Sequence, residues 1–117
     1  MSSRSWEFRL QDILDAIGKI ERYVEGMTYE EFIDDEKTVD AVIRQITVIG
    51  EAATHIPETK TSQSSQLPWR SIRGIRNIVV HEYFGINNHI LWQTITNNLP
   101  ELKRGLNELN DNAIPDS

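Results

Sequence analysis

Three side chains in one short stretch could together act on a phosphodiester: Arg76, His81 and Tyr83. The planar guanidinium of an arginine can hold two phosphoryl oxygens at once. An imidazole can accept and donate protons near neutral pH. A phenol can donate a hydrogen bond or accept a transferred group. The set suits phosphoryl chemistry that needs no metal ion.

The charge distribution favours an anionic ligand in the same region. The chain has a net charge of −6, which argues against a surface built for non-specific nucleic-acid binding. Residues 59–81 nevertheless carry four basic residues and no acid, whereas both flanking regions are acidic: Lys60, Arg70, Arg73 and Arg76. Such a basic island can focus an anion on one cleft. The alternative is that these arginines are solvated or pair with acids elsewhere.

Length and composition predict one domain over residues 1–117. A hydrophobic share of 38% is ordinary for a globular chain, so wholesale disorder is not expected. The chain has no cysteine, which excludes disulfides and thiolate metal sites, and three scattered histidines do not suggest another metal site. No apolar run is long enough to span a bilayer and no signal peptide is apparent, so we expect a cytoplasmic protein.

Hydrophobic periodicity predicts helices through the first half of the chain. Apolar residues recur at three- and four-residue steps over 6–25, and Gly26 follows as a stop. Thr28 and Glu31 have capping-box spacing, which predicts a short helix to about Asp34. A second long helix should follow the acidic run at 34–36 and extend to about residue 56.

The second half contains a loop and two further helical regions. Residues 57–67 are polar and predict a loop. A helix broken at Gly74 should carry Arg76 and its neighbours. The last helix, capped by Asn87 or Asn88, has an apolar face from Ile90 to Leu109, and Pro100 should kink or restart it. The fold class is therefore all-α, an up-and-down bundle of four to five helices.

The spacing of Arg76, His81 and Tyr83 resembles the signature of the HEPN nucleases, and most of all that of the HepT-like toxins. The resemblance extends from about Leu10 to Leu109 and rests on several phrases besides the signature. These phrases are Asp12-Ile13-Leu14-Asp15-Ala16-Ile17, Ala41-Val42-Ile43-Arg44, Ile49-Gly50-Glu51-Ala52-Ala53, Pro68-Trp69-Arg70, Gly74-Ile75-Arg76-Asn77, His81-Glu82-Tyr83-Phe84-Gly85 and Asn98-Leu99-Pro100-Glu101-Leu102.

The resemblance implies a helical homodimer that cleaves RNA as a toxin, with no required metal or cofactor. Arg76 and His81 fall on the catalytic positions. It also implies a partner, a minimal, MntA-like nucleotidyltransferase antitoxin that silences the toxin by transferring AMP to the motif tyrosine, here Tyr83. Many relatives have glycine or an amide after the histidine, whereas this chain has Glu82, a carboxylate that could orient His81 or repel RNA.

Helix geometry gives a separate reason to expect two chains. Five residues of α-helix turn through about 500°, so Arg76 and His81 would point about 140° apart on one continuous helix. Arg73, Asn77 and His81 instead lie at four-residue steps along one face. A two-fold axis beside that face would bring two histidines and several arginines into one cleft. We therefore assign supporting roles to Arg73 and Asn77.

Less specific interpretations remain open at this point. His81 could be a helix-end or core histidine, and Tyr83 a plain core aromatic. His55 and His89 fit surface or capping roles, and the three tryptophans fit packing roles. The whole chain could also be a non-catalytic helical subunit that presents a surface to a nucleotidyltransferase.

Overall fold

The computed structural model describes residues 6–61 and 88–113, and all the regular structure in these ranges is helical. In chain order the elements are α1 (Trp6–Val24), α2 (Tyr29–Asp34), α3 (Glu36–Ala53), α4 (Glu58–Thr61), α5 (Asn88–Gln93), a π-helical segment (Thr94–Asn98) and α6 (Leu99–Ala113). The predicted all-α, HEPN-like bundle is confirmed. The single domain over residues 1–117 stays a prediction.

Helix α1 lies at the centre of the described part, against α3 on one side and α6 on another. Arg9 shares a cleft with Glu51, and Lys19 shares one with Arg44, so α1 and α3 run in opposite directions. On the other side, the Nζ of Lys103 lies 3.0 Å from an Oε1 of Glu21 and ties α6 to α1. Such an exposed ion pair adds little stability, so packing holds the helices together.

Two caps fix the direction of the chain at α2 and α3. The Thr28 hydroxyl accepts from the Glu31 N–H at 3.1 Å, and the Glu31 carboxylate accepts from the Thr28 N–H at 2.9 Å, which confirms the capping box. The carboxylate of Asp35 then accepts from the Thr38 N–H and caps α3. Upstream, α1 ends two residues before Gly26, whose φ of 76° suits glycine.

Helix α3 is shorter than predicted, and part of the predicted loop is helical. The helix ends at Ala53 instead of about residue 56, because Pro57 disfavours the α-helical conformation at the residue before it. The N–H groups of Thr54, His55 and Ile56 each bond to a carbonyl three residues back, as in a 3₁₀ turn. The polar stretch after Pro57 forms α4, with Glu58 in its first turn, where a carboxylate suits the helix dipole.

The last helical region restarts at Pro100, as predicted. Proline has no N–H and its ring clashes with the carbonyl four residues back, so a regular α-turn cannot continue there. The N–H of Leu99 bonds instead to the carbonyl of Thr94, five residues back, and α6 begins after this wider turn. Asn88 is itself helical within α5, so it is not the cap, and the other predicted cap, Asn87, lies outside the described residues. The prediction that Ile90 lies on the apolar face is wrong, because Ile90 is 57% exposed while its neighbour Leu91 is buried.

The core of the described part is a continuous apolar cluster. Its largest fully buried side chains come from α1, α2, α3 and α6: Leu10, Ile13, Ile17, Ile20, Phe32, Val42, Ile46, Ile49 and Leu106. The predicted apolar faces of the two long N-terminal helices therefore do form the core. None of the helices in the described ranges is both long and apolar enough to cross a membrane.

Candidate functional site

The residues predicted to carry the chemistry lie outside the described part of the chain. Arg73, Arg76, Asn77, His81 and Tyr83 all fall between residues 61 and 88. Their roles therefore stay predictions, and so does the influence of Glu82. The structure does describe the helices on either side of this stretch, α4 before it and α5 after it.

A ladder of aromatic rings joins the start of α5 to α2. At its base, Phe32 is fully buried, and its ring centroid lies 5.0 Å from that of Trp92. The Trp92 ring is half-buried and lies 6.2 Å from the Tyr29 ring. The rings of Tyr29 and the exposed His89 form a T-shaped pair, with centroids 5.6 Å apart and an interplanar angle of 88°. The ladder thus runs from the core to the surface and fixes α5 against α2.

Local hydrogen bonds hold both rings at the outer end of this ladder. Tyr29 is the first residue of α2, so the reciprocal bonds between Thr28 and Glu31 set its backbone. On α5, the side-chain nitrogen of Gln93 lies 3.3 Å from the Nε2 of His89, one helical turn away. The outer end is therefore positioned by helical backbone as well as by packing.

The two described histidines have neighbours that account for them without a catalytic role. The Nε2 of His55 lies 3.8 Å from a carboxylate oxygen of Glu51, one turn earlier in α3, and both side chains are about half exposed. His89 has the contacts with Tyr29 and Gln93 given above. Both therefore fit the surface role predicted for them. His81 remains the histidine proposed for proton transfer.

Two shallow clefts follow the seam between α1 and α3. Their volumes are about 210 and 270 Å³. Their rims carry charges of both signs: Arg9, Asp12, Asp15, Lys19, Arg44 and Glu51. An RNA phosphate needs a surplus of positive charge, and carboxylates interleaved with the basic groups cancel it. These clefts are therefore poor sites for RNA cleavage.

One carboxylate in the described ranges has a clearly perturbed pKa. Hydrogen bonds from Thr38 to the carboxylate of Asp35 lower the pKa of that carboxyl below its ordinary value of 3.8. This effect belongs to the cap of α3 and has no catalytic meaning. The described residues also contain no group of three histidines or carboxylates that could hold a metal ion.

Sequence reasoning missed the corner formed by Tyr29 and His89. The capping box located the start of α2, and His89 was expected at the surface, but nothing in the sequence pairs two rings from such distant helices. The spacing of His89 and Gln93, one helical turn apart, was the one available local signal.

Comparison with known proteins identifies the family. The sequence model of the family described as "Ribonuclease HepT-like" matches residues 13–109. A protein of Thermococcus cleftensis named "Probable ribonuclease HepT" is 38% identical over 100 residues, which cover 86% of this chain and 91% of the relative. This chain belongs to the HepT-like ribonuclease family. The predicted family and enzyme class, an endoribonuclease, are thereby confirmed.

Other relatives of this HepT-like chain are similar over comparable lengths. A "Putative RNase" of Caldanaerobacter subterraneus is 35% identical over 86% of the chain and 89% of the relative. Another "Putative RNase", from Methanocaldococcus jannaschii, is 34% identical over 89% of the chain and 95% of the relative. No solved structure was found to match the chain.

Proposed function

We propose that this HepT-like protein is a metal-independent ribonuclease toxin whose catalytic groups are Arg76 and His81. The observation that carries the proposal is the extent of the family match. Residues 13–109 include the whole motif stretch, so the Arg-x4-His-x-Tyr spacing lies inside a matched sequence and is not an isolated coincidence. The substrate is RNA, and we place the protein in the cytoplasm.

The reaction is attack of a 2′-hydroxyl on the neighbouring phosphorus. His81 removes the hydroxyl proton as the new O–P bond forms, and a proton returns to the 5′-oxygen as the old O–P bond breaks. Arg76 binds the non-bridging oxygens, where negative charge accumulates in the crowded phosphorane. The products carry a 2′,3′-cyclic phosphate and a 5′-hydroxyl, and no external reactant is consumed.

The active form is a homodimer. A single helix would aim Arg76 and His81 about 140° apart, so one chain does not readily place both groups on one phosphate. A two-fold axis beside Arg73, Asn77 and His81 supplies a second imidazole and further arginines. One histidine then acts as the base and the other as the acid. Arg73 contributes positive charge, and Asn77 positions the motif.

Silencing occurs at Tyr83, by transfer of AMP from ATP to the phenolic oxygen with release of pyrophosphate. The transferring enzyme is a minimal, MntA-like nucleotidyltransferase antitoxin. The modification adds one permanent negative charge and the bulk of a nucleotide close to His81, two residues earlier in the chain. Both effects oppose the binding of an RNA phosphate, so the modified toxin is inactive without any change of fold.

The test is incubation of the purified protein with total RNA in the presence of a chelator. The proposal expects cleavage under these conditions, with cyclic phosphate at the new 3′ ends. Cleavage that requires an added divalent metal would contradict the metal-free mechanism. Intact RNA would favour the alternative of a non-catalytic subunit of a nucleotidyltransferase, provided that mass spectrometry shows Tyr83 unmodified.

A further inference from the structure

The outer end of the aromatic ladder has the composition and shape of a base-binding corner. The rings of Tyr29 and His89 stand at 88° to each other with centroids 5.6 Å apart, so they form two walls. His89 is exposed and Tyr29 is half-buried, which leaves part of each ring open to solvent. A planar base that stacks on one ring presents its own edge to the face of the other. Sequence-specific RNA-binding proteins hold unpaired bases on such aromatic and histidine surfaces.

Gln93 adds hydrogen-bonding groups beside the two rings. Its side chain is exposed, and the amide nitrogen contacts His89 at 3.3 Å. One N–H is used in that contact, and the carbonyl oxygen and the second N–H can pair with a base edge. A side-chain amide offers one acceptor next to one donor, the pattern that complements N6 and N7 of adenine.

The surrounding charges favour a base over a phosphate. Glu30 is exposed directly after Tyr29, and the next residue, Glu31, has its carboxylate in the capping box. Carboxylates repel phosphate oxygens, whereas a neutral base has no such conflict. The corner is therefore suited to an unstacked RNA base whose own sugar-phosphate backbone lies away from the two carboxylates.

The corner is rigid, which reduces the entropic cost of binding. The Trp92 ring supports Tyr29 from below and rests on the fully buried Phe32. The capping box fixes the backbone of Tyr29, and α5 carries both His89 and Gln93. A ligand therefore meets a supported Tyr29 ring and side chains on a helical backbone, which raises affinity for a given contact area.

We propose that Tyr29, His89 and Gln93 form a subsite that stacks one unpaired RNA base, with a preference for adenine. The inference rests on the proposed ribonuclease function and extends it to the choice of cleavage site. His89 follows His81 by eight residues, a length of chain that spans at most about 29 Å. A bound RNA strand can therefore reach both groups within a few nucleotides.

The experiment measures binding of short 2′-O-methyl RNA oligomers, which cannot be cleaved because the attacking hydroxyl is blocked. Fluorescence anisotropy compares an oligoadenylate with an oligouridylate. The parent protein should prefer the oligoadenylate. Tyr29→Leu keeps apolar volume against Trp92 but lacks a stacking face, and should raise Kd about 5- to 100-fold. Tyr29→Phe should restore binding, and Gln93→Ala should remove the preference between the two oligomers.

Tyr23→Leu is the matched control, because it makes the same substitution at an exposed tyrosine in the last turn of α1. It should bind both oligomers like the parent. Equal Kd values for the parent and Tyr29→Leu, with folding confirmed by circular dichroism, would refute the subsite but not the ribonuclease function. A parent that binds neither oligomer would refute it as well, even if the protein cuts RNA. If the protein prefers the oligoadenylate but does not cleave total RNA in the separate cleavage assay, the ribonuclease function is refuted and the base-binding subsite is not.

Discussion

The rings of Tyr29 and His89 stand perpendicular to each other with centroids 5.6 Å apart, although their helices belong to the two separate described ranges of the sequence. This contact links α2, set by its own capping box, to α5, the first described helix after the proposed catalytic stretch. The ladder below it, Trp92 on Phe32, connects the contact to the core. The helix that follows the motif is therefore anchored by aromatic packing.

The ladder makes Phe32 a major contributor to stability. Phe32 is fully buried, so Phe32→Ala leaves a cavity under Trp92 and should lower the free energy of unfolding by about 3–5 kcal/mol. Chemical denaturation monitored by circular dichroism measures this change. Phe8→Ala is the control: Phe8 is 57% exposed, and its loss should cost less than about 1 kcal/mol. Equal costs for the two variants would show that the ladder does not stabilise the fold.

The cap at Asp35 predicts a pH-dependent contribution. Hydrogen bonds from Thr38 lower the pKa of the Asp35 carboxyl in the folded protein, so the ionised form is favoured by folding. The contribution is fully present above the ordinary pKa of 3.8 and is lost as the pH falls through the lower folded value. Asp35→Asn keeps a capping side chain but cannot titrate. The stability difference between parent and variant should therefore shrink when denaturation is repeated at decreasing pH below about 4. A constant difference would contradict the assignment.

The sequence predicted the elements governed by local rules. The capping box at Thr28, the stop at Gly26 and the restart at Pro100 each depend on a few adjacent residues, and each is observed. The errors occurred where tertiary packing or turn geometry decides. Ile90 and Leu91 both fit an apolar pattern, but successive helix positions point about 100° apart. How α5 packs decides that Leu91 is buried and Ile90 is exposed. The contact between Tyr29 and His89 depends on how α2 and α5 pack, which no local pattern encodes.

Oligomeric state tests the geometric part of the proposed mechanism. Because one continuous helix would aim Arg76 and His81 about 140° apart, we expect an obligate dimer around the face with Arg73, Asn77 and His81. Analytical ultracentrifugation at micromolar concentration should give twice the mass of 13.5 kDa. RNA-cleaving activity per chain should fall on dilution below the dissociation constant. A monomer with the same specific activity at every concentration would exclude a shared cleft.

Tyr83 is the predicted point of regulation. A negative charge about 5 Å from a bound RNA phosphate costs roughly 3 kcal/mol at an effective dielectric constant near 20. That charge alone should weaken RNA binding about a hundredfold. After co-expression with the cognate nucleotidyltransferase, peptide mass spectrometry should find the mass of AMP on Tyr83. Tyr83→Phe should escape silencing. Modification confined to another residue, or a Tyr83→Phe protein that the transferase activity still silences, would exclude this switch.

The most direct test of the central claim compares the RNA cleavage rates of Arg76→Ala and His81→Ala with those of two controls. Arg44→Ala and His55→Ala remove the same residue types from exposed positions on α3 and in the turn after it. With a chelator present and folding confirmed by circular dichroism, each catalytic variant should lose at least about a hundredfold in rate. The controls should cut RNA at the parent rate. Parent-like cleavage by both Arg76→Ala and His81→Ala would contradict the account.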